Sequence, residues 1–147
     1  QLSEVTMLKN INPLLSPELL KILREMGHGD QIAIVDANYP AASGSRRLVR
    51  LDGCSATDVL DAVVSVLPLD TYVETSVSTM QVVGDPCTVP DIVKDFKNIV
   101  ATHDTQAQFS NIERFRFYDE VKNAYAVVST GESRLYGNII LRKGVLL

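Results

Sequence analysis

Apolar positions in the chain recur with two periods, and each switch between them marks a new element. The first segment is helical. Leu19, Leu20, Leu23 and Met26 follow one another at helical spacing behind Ser16 and Pro17. A serine side chain can accept the free N–H groups of a first turn, and proline suits the first helical position because no N–H is needed there. Leu15 and Leu20 stand where a hydrophobic staple would clasp that turn. Gly27 is the expected stop. The spacing therefore predicts a helix from Pro17 to Met26 and then a tight Gly27-His28-Gly29-Asp30 turn.

Gln31 to Val35 is a short β-branched run and reads as a buried strand. It ends in Asp36, and Pro40 closes the loop Ala37-Asn38-Tyr39. Leu48 to Leu51 predicts a second strand. A second helix opens near Ser55, with Asp58 as a capping-box analogue. Its apolar stripe is Val59, Leu60, Val63, Val64 and Leu67, and Pro68 ends it. Thr75 to Val83 predicts a strand. Pro90 opens a third helix with the stripe Ile92, Val93, Phe96, Ile99 and Val100. A fourth helix is expected over Arg114 to Ala124. Tyr125 to Thr130 and Asn138 to Leu141 read as strands joined through Gly131-Glu132. Helices alternating with strands predict an α/β fold, a sheet sandwiched between helices. Neither a repeat nor a Gly- or Ser-rich linker divides the chain, so a single domain is expected over 7–147. Residues 1–6 carry no pattern and read as an extension, natural or introduced, ahead of Met7.

Composition narrows the function classes. A length of 147 residues suits one domain, since domains commonly run to ~100–200. With 46% hydrophobic and 22% charged residues, the chain has the material for a core and is no disordered segment. The net charge is -4, and Arg46, Arg47 and Arg50 form the only dense basic cluster. A nucleic-acid partner is therefore not expected. Cys54 and Cys87 make no CxxC pair and read as two buried, reduced thiols. No apolar run approaches the ~20 residues of a membrane span, and no signal pattern opens the chain, so a cytoplasmic protein without a membrane partner is expected. GxSxG, P-loop, GxGxxG and HExxH patterns are all missing. With two histidines and no cysteine pair, neither a metal nor another cofactor is expected. What remains is proton transfer with hydrogen-bonded recognition of a small polar molecule.

A few residues could carry that chemistry. His28 lies between two glycines past a helix end, where the helix dipole favours a cationic ring. It could cap the last carbonyls or act as a proton donor. Asp36 ends an apolar strand, where a charge is costly to bury without a partner and where α/β folds gather ligand groups. An Asx turn would account for it equally, and the same two possibilities hold for Asp70. Arg114 and Tyr118 stand four apart and share a helix face; Phe115 and Phe117 are expected to be packing residues. If Tyr136-Gly137-Asn138 is extended, Tyr136 and Asn138 project from one side of a strand. Gly137 would then admit a ligand closely. A phenol and a carboxamide offer the donors and acceptors that sugar hydroxyls need. His103-Asp104 reads as a helix end.

These residues sit in blocks that resemble the L-fucose mutarotase family, the relatives of D-ribose pyranase. The blocks are Ser-Pro-Glu-Leu-Leu (16–20) leading to Met-Gly-His-Gly-Asp (26–30), Leu-Pro-Leu-Asp-Thr-Tyr (67–72) and Ile-Glu-Arg-Phe-Arg-Phe-Tyr (112–118). Thr-Gly-Glu (130–132), continuing to Tyr-Gly-Asn-Ile-Ile-Leu-Arg-Lys-Gly-Val (136–145), completes the set. The resemblance spans nearly all of the chain from Met7 and is weakest between about Thr75 and Asn111. It implies a three-layer sandwich of a mixed sheet between helices and a cofactor-independent isomerase that interconverts the α and β anomers of a free sugar. It implies His28 as proton donor and Asp36, Asp70, Arg114, Tyr118, Tyr136, Gly137 and Asn138 as sugar contacts. It also implies assembly as rings or other homo-oligomers, with sites near subunit interfaces. The ribose branch has a histidine in the segment that here reads Arg114-Phe-Arg-Phe-Tyr118, which favours L-fucose as substrate. A non-catalytic sugar-binding module and a ribose-type pyranase are the alternatives. Ring opening needs one proton given to the ring oxygen and one taken from the anomeric hydroxyl. We expect His28 and Asp36 in these roles, with His28, Asp36 and Asn138 around one cavity.

Overall fold

The computed structural model describes residues 7–147, so the expected extension 1–6 lies outside the described residues. Ser16 caps α1 (Pro17–Glu25), its Oγ accepting the Leu19 N–H at 3.2 Å. The helix stops one residue earlier than expected, with Met26 as an extended cap. Gly27 is not the left-handed residue of the turn; Gly29 is, at φ 89°, and its N–H donates to the Lys143 carbonyl. The chain then runs through β1 (Gln31–Val35), β2 (Leu48–Leu51), α2 (Ala56–Val64), β3 (Val77–Met80) and α3 (Asp91–His103). It continues through β4 (Phe109–Ile112), α4 (Arg114–Asn123), β5 (Ala126–Thr130) and β6 (Ile139–Arg142). Ser55 caps α2 as expected, accepting the Asp58 N–H.

Six strands form one sheet in the order β2-β5-β1-β6-β3-β4. The pairs β2/β5, β5/β1 and β3/β4 are parallel, whereas β6 runs antiparallel to both β1 and β3. Five strands thus point one way and β6 points back between them. Register places Ile34 beside Val128 on one side and Ile139 on the other.

Both faces of the sheet are apolar, and the period of two sorts them. Ile32, Ile34, Val128, Ile139 and Leu141 face α1, α2 and α3 through Leu19, Leu23, Leu60 and Phe96. Ala33, Val35, Val127 and Ile140 face Phe117 and Val121 of α4. Helices cover both faces, so the expected three-layer sandwich with a mixed sheet is what the chain forms.

Several local expectations differ. β4 is absent from the sequence reading because Phe109-Ser110-Asn111-Ile112 is short and half polar, as an edge strand tolerates. β3 is shorter than Thr75–Val83. Phe115 is exposed, because on α4 the core-facing positions are Phe117 and Val121. Cys87 is exposed and Cys54 half-buried, so neither is the buried thiol expected.

Candidate functional site

The topology gathers polar residues at both ends of the sheet. At the carboxyl end of the five codirectional strands, β1 delivers Asp36, the β4–α4 junction delivers Arg114, and the turn into β6 delivers Tyr136, Gly137 and Asn138. At the amino end, the turn before β1 carries His28, the segment before β3 carries Asp70, and β6 ends in Arg142.

Asp36 is almost fully buried at the carboxyl end. Its N–H donates to Asn138 Oδ1 at 2.8 Å, and its Oδ1 accepts the Asn38 N–H at 3.0 Å. Burial pushes its carboxyl up from the ordinary aspartate value. The N–H groups of Asn38, Gly137 and Tyr39 and the Asn138 side chain pull the other way without cancelling that push. Tyr39 stacks edge-on against Phe117 and Tyr118, with ring centroids 6.2 and 5.3 Å away. Burial first, then Tyr118 and Asp36, push its phenol well above the ordinary range. The Nε of Arg114 is shielded from solvent and meets no acceptor among the described residues. Its guanidinium lies 4.5 Å from the Phe115 ring centroid.

Tyr136 and Asn138 do not project together from a strand. Tyr136 has φ 64°, in the left-handed region, and β6 begins only at Ile139. A tyrosine held there is strained. Its hydroxyl accepts the Val83 N–H at 3.0 Å, which ties the turn to the loop after β3. Gly137 is closely walled: a Cβ would stand 2.8 Å from Ile92 Cδ1 and 3.0 Å from Glu132 Cγ, so a larger residue would make those side chains shift.

At the amino end, His28 Nε2 and Asp70 Oδ1 are 3.0 Å apart. The imidazole is 42% exposed, whereas the Asp70 side chain is 2% exposed. Asp70 Oδ1 also accepts the Tyr72 N–H at 3.0 Å, and Oδ2 accepts Arg142 Nε–H at 3.2 Å. Burial by itself would raise the Asp70 carboxyl, but the Tyr72 amide, His28 and Arg142 together hold it below the ordinary value. An ionised carboxylate only accepts. His28 Nε2 therefore carries a hydrogen toward Asp70, and Nδ1 is the nitrogen left for a ligand. The Tyr72 ring leans on the imidazole at 5.2 Å. Asp70 is buried and accepts from Tyr72, His28 and Arg142, an arrangement that suits holding His28 in place.

His28 and Asp36 do not line one cavity of one chain. They stand at opposite ends of β1, whose five residues at ~3.3 Å each separate them by about 17 Å. Asn138 and Arg142 are likewise divided by β6. Tyr39, Tyr72 and Arg142 join these clusters without having been singled out from sequence. Tyr39 could have been suspected from its place beside Asp36, but Arg142 meets Asp70 across 72 residues and has no local signal.

No helix is long and apolar enough to cross a membrane, and no metal-holding group of three or more His, Cys, Asp or Glu occurs among the described residues. The fold and sequence both match known proteins. The fucose mutarotase of Streptococcus pneumoniae, solved in complex with L-fucose, is 45% identical. The match covers 95% of this chain and 100% of that one, with a TM-score of 0.89. FucU of Bifidobacterium longum is 42% identical over 95% of this chain and 100% of its own, with a TM-score of 0.87. Bacillus subtilis RbsD, solved with D-ribose, is 25% identical over 90% of this chain and 95% of its own, with a TM-score of 0.73. A family model described as the RbsD / FucU transport protein family matches residues 9–146. On that match over nearly the whole chain, and on its fold, the chain belongs to the RbsD/FucU family.

Proposed function

We propose that this protein is a sugar mutarotase that interconverts the α and β anomers of L-fucose without a cofactor. We further propose that each site joins the amino end of one chain to the carboxyl end of another. The observation that carries the chemistry is the exposed His28 ring, anchored through Nε2 by buried Asp70, which Arg142 also holds, with Nδ1 unengaged among the described residues. Acid and base acting on adjacent oxygens of one sugar must both come within about 3 Å of them. A separation along all of β1 is too long for that, which supports a site completed by a second copy.

Exposed apolar side chains at both ends support the same assembly. Tyr72 and Leu146 are exposed beside the His28 cluster, and Phe115 and Leu135 near the Asp36 cluster. Patches of this kind mark contact surfaces. A contact between unlike ends is heterologous and closes into a ring when its rotation allows.

In the proposed reaction, doubly protonated His28 gives the Nδ1 proton to the ring oxygen. The Asp36 carboxylate of the neighbouring copy takes the proton of the anomeric hydroxyl, directly or through water. The C1–ring oxygen bond breaks and a free aldehyde forms. Rotation about C1–C2 presents the other carbonyl face, and closure returns both protons. A carboxyl raised by burial is a stronger base than an ordinary aspartate, which suits Asp36 to its step. Asn138, Tyr136, Arg114 and Tyr118 would hold the remaining hydroxyls. Acid and base together are asked for about 10²–10⁴-fold, which is enough for a reaction that already proceeds slowly in water.

L-Fucose is the first choice because the relative solved with it is the more similar of the two sugar-bound structures. The segment Arg114-Phe-Arg-Phe-Tyr118 also lacks the histidine that the resemblance implies for the ribose branch. Exchange NMR of the anomeric protons of L-fucose and D-ribose, with and without protein, tests the proposal. We expect faster exchange, larger for fucose. Saturable binding of fucose with unchanged exchange would reduce the protein to a sugar-binding module.

A further inference from the structure

Thr130 ends β5 and Gly131-Glu132 follow it at the carboxyl end; the three take no part in the proposed proton transfers. Glu132 is nonetheless 6% exposed, an unusual place for a carboxylate. Its Oε1 accepts the N–H of Ala56, the first residue of α2, at 3.2 Å. Its Oε2 accepts the backbone N–H and the Nε–H of Arg134, both at 3.2 Å. Arg134 continues to Asp95 on α3 at 2.8 Å.

The same residue reaches both halves of the Asp36 cluster. Its carbonyl accepts the Ala37 N–H at 2.9 Å, directly after Asp36. Its own N–H donates to Thr130 Oγ1, which in turn donates to the Val35 carbonyl at 2.7 Å, directly before Asp36. Its Cγ is the wall against which the Gly137 backbone packs, between Tyr136 and Asn138. Asp36 and the Tyr136–Asn138 turn are thus both fixed to one side chain and its backbone. Only the Glu132 end of the pair with Arg134 is buried, and a half-exposed ion pair is a poor source of stability. What this one supplies is a fixed distance between two loops.

We infer that Glu132 is a positioning residue that sets the spacing between Asp36 and the Tyr136-Gly137-Asn138 turn, and so the affinity of the sugar-holding half of the site. This rests on the proposal that the carboxyl-end cluster holds the sugar. Glu132 touches no substrate; it acts through the loops on either side.

The test is Glu132→Gln in the full chain, assayed by anomeric exchange over a range of L-fucose concentrations. A loosened half-site should raise KM about tenfold, and because Asp36 shifts with its loop, kcat should fall as well, by up to about tenfold. A merely destabilised protein would lose active molecules and lower kcat with KM unchanged, and that result overturns the inference. So does a variant with both constants unchanged. Should Glu132→Gln fail to fold, Arg134→Gln keeps the carboxylate and removes its guanidinium partner. There we expect KM to rise about threefold, and an unchanged KM refutes the role. Amide exchange separates this from failure of the sugar reading. Faster exchange at Ala37, Ala56 and Arg134 in the variant, beside an unaltered protein that accelerates neither sugar, leaves the frame standing and removes its proposed purpose.

Discussion

The two ends of the sheet hold buried aspartates that are opposite in electrostatic character. Asp36, at the carboxyl end, meets no cation among the described residues and is met chiefly by backbone N–H groups; its carboxyl is pushed up. Asp70, at the amino end, is met by Arg142, His28 and an amide; its carboxyl is held down. Charge at Asp36 works against folding, whereas charge at Asp70 works for it. The difference fits the parts proposed for the two aspartates, one to take a proton and one to hold an imidazole. A raised carboxyl is poised to take a proton, and a lowered one stays ionised and keeps an imidazole in place.

The largest expected effect tests whether the two ends cooperate across chains. His28→Gln and Asp36→Asn should each lower anomeric exchange by about 10²-fold or more. Dissociated, mixed in equal amounts and reassembled, the two should recover about one quarter of the sites, those joining an intact amino end to an intact carboxyl end. No recovery after mixing would return both residues to one chain. Turnover kept by Asp36→Asn alone, with weaker binding, would make Asp36 a positioning group.

Next in size is Asp70→Asn. It leaves Arg142 without its carboxylate and His28 without its anchor, so kcat should fall by up to about 10²-fold. KM should change less, because the sugar contacts proposed here lie at the other end. A rise in KM with kcat intact would instead make Asp70 a sugar contact.

The opposite shifts of the two aspartates can be read without substrate. A carboxyl raised in the folded state costs stability above its folded pKa, and that cost is gone below the ordinary aspartate value. Asp36→Asn should therefore melt higher than the parent near about pH 7, by on the order of a few degrees, with the gap closing toward about pH 4. A carboxyl lowered in the folded state contributes stability above its ordinary value and loses it as pH falls through the folded one. Asp70→Asn should melt lower near about pH 7, and its deficit should shrink only in stronger acid. Shifts of the same sign in a pair of thermal melts would erase the contrast.

Tyr136→Phe should have the smallest effect. It removes one hydrogen-bond acceptor for the Val83 N–H at an exposed rim, worth about 1 kcal/mol or less. KM for L-fucose should rise no more than about fivefold. An unchanged KM would remove the Tyr136 hydroxyl from the proposed sugar contacts.

The sequence made the elements legible where local chemistry was unambiguous. Ser16 and Ser55 cap the helices expected of them, and the β-branched run Gln31–Val35 is β1. β4 was not legible, because a short edge strand needs no continuous apolar run. The left-handed Tyr136 was not legible either, since tyrosine rarely adopts that conformation and Gly137 beside it read as the permissive residue. Asp70 looked like a turn residue, and in part it is one, accepting the Tyr72 N–H two residues on. Its partners at His28 and Arg142 lie 42 and 72 residues away, beyond any local pattern.

By itself, the sequence determined the two periods, the caps and the α/β order, and it singled out the residues proposed as acid, carboxylates and amide. These follow from forces that act over a few residues: capping, steric preference and the alternation of apolar positions. Only the tertiary structure decided that His28 and Asp36 face opposite ways along β1, that Arg142 and Tyr72 join one cluster and Tyr39 the other, and that Glu132 stands behind both loops around Asp36. Strand order and direction set those neighbours, and they arise from packing two apolar faces of one sheet against helices far apart in the chain.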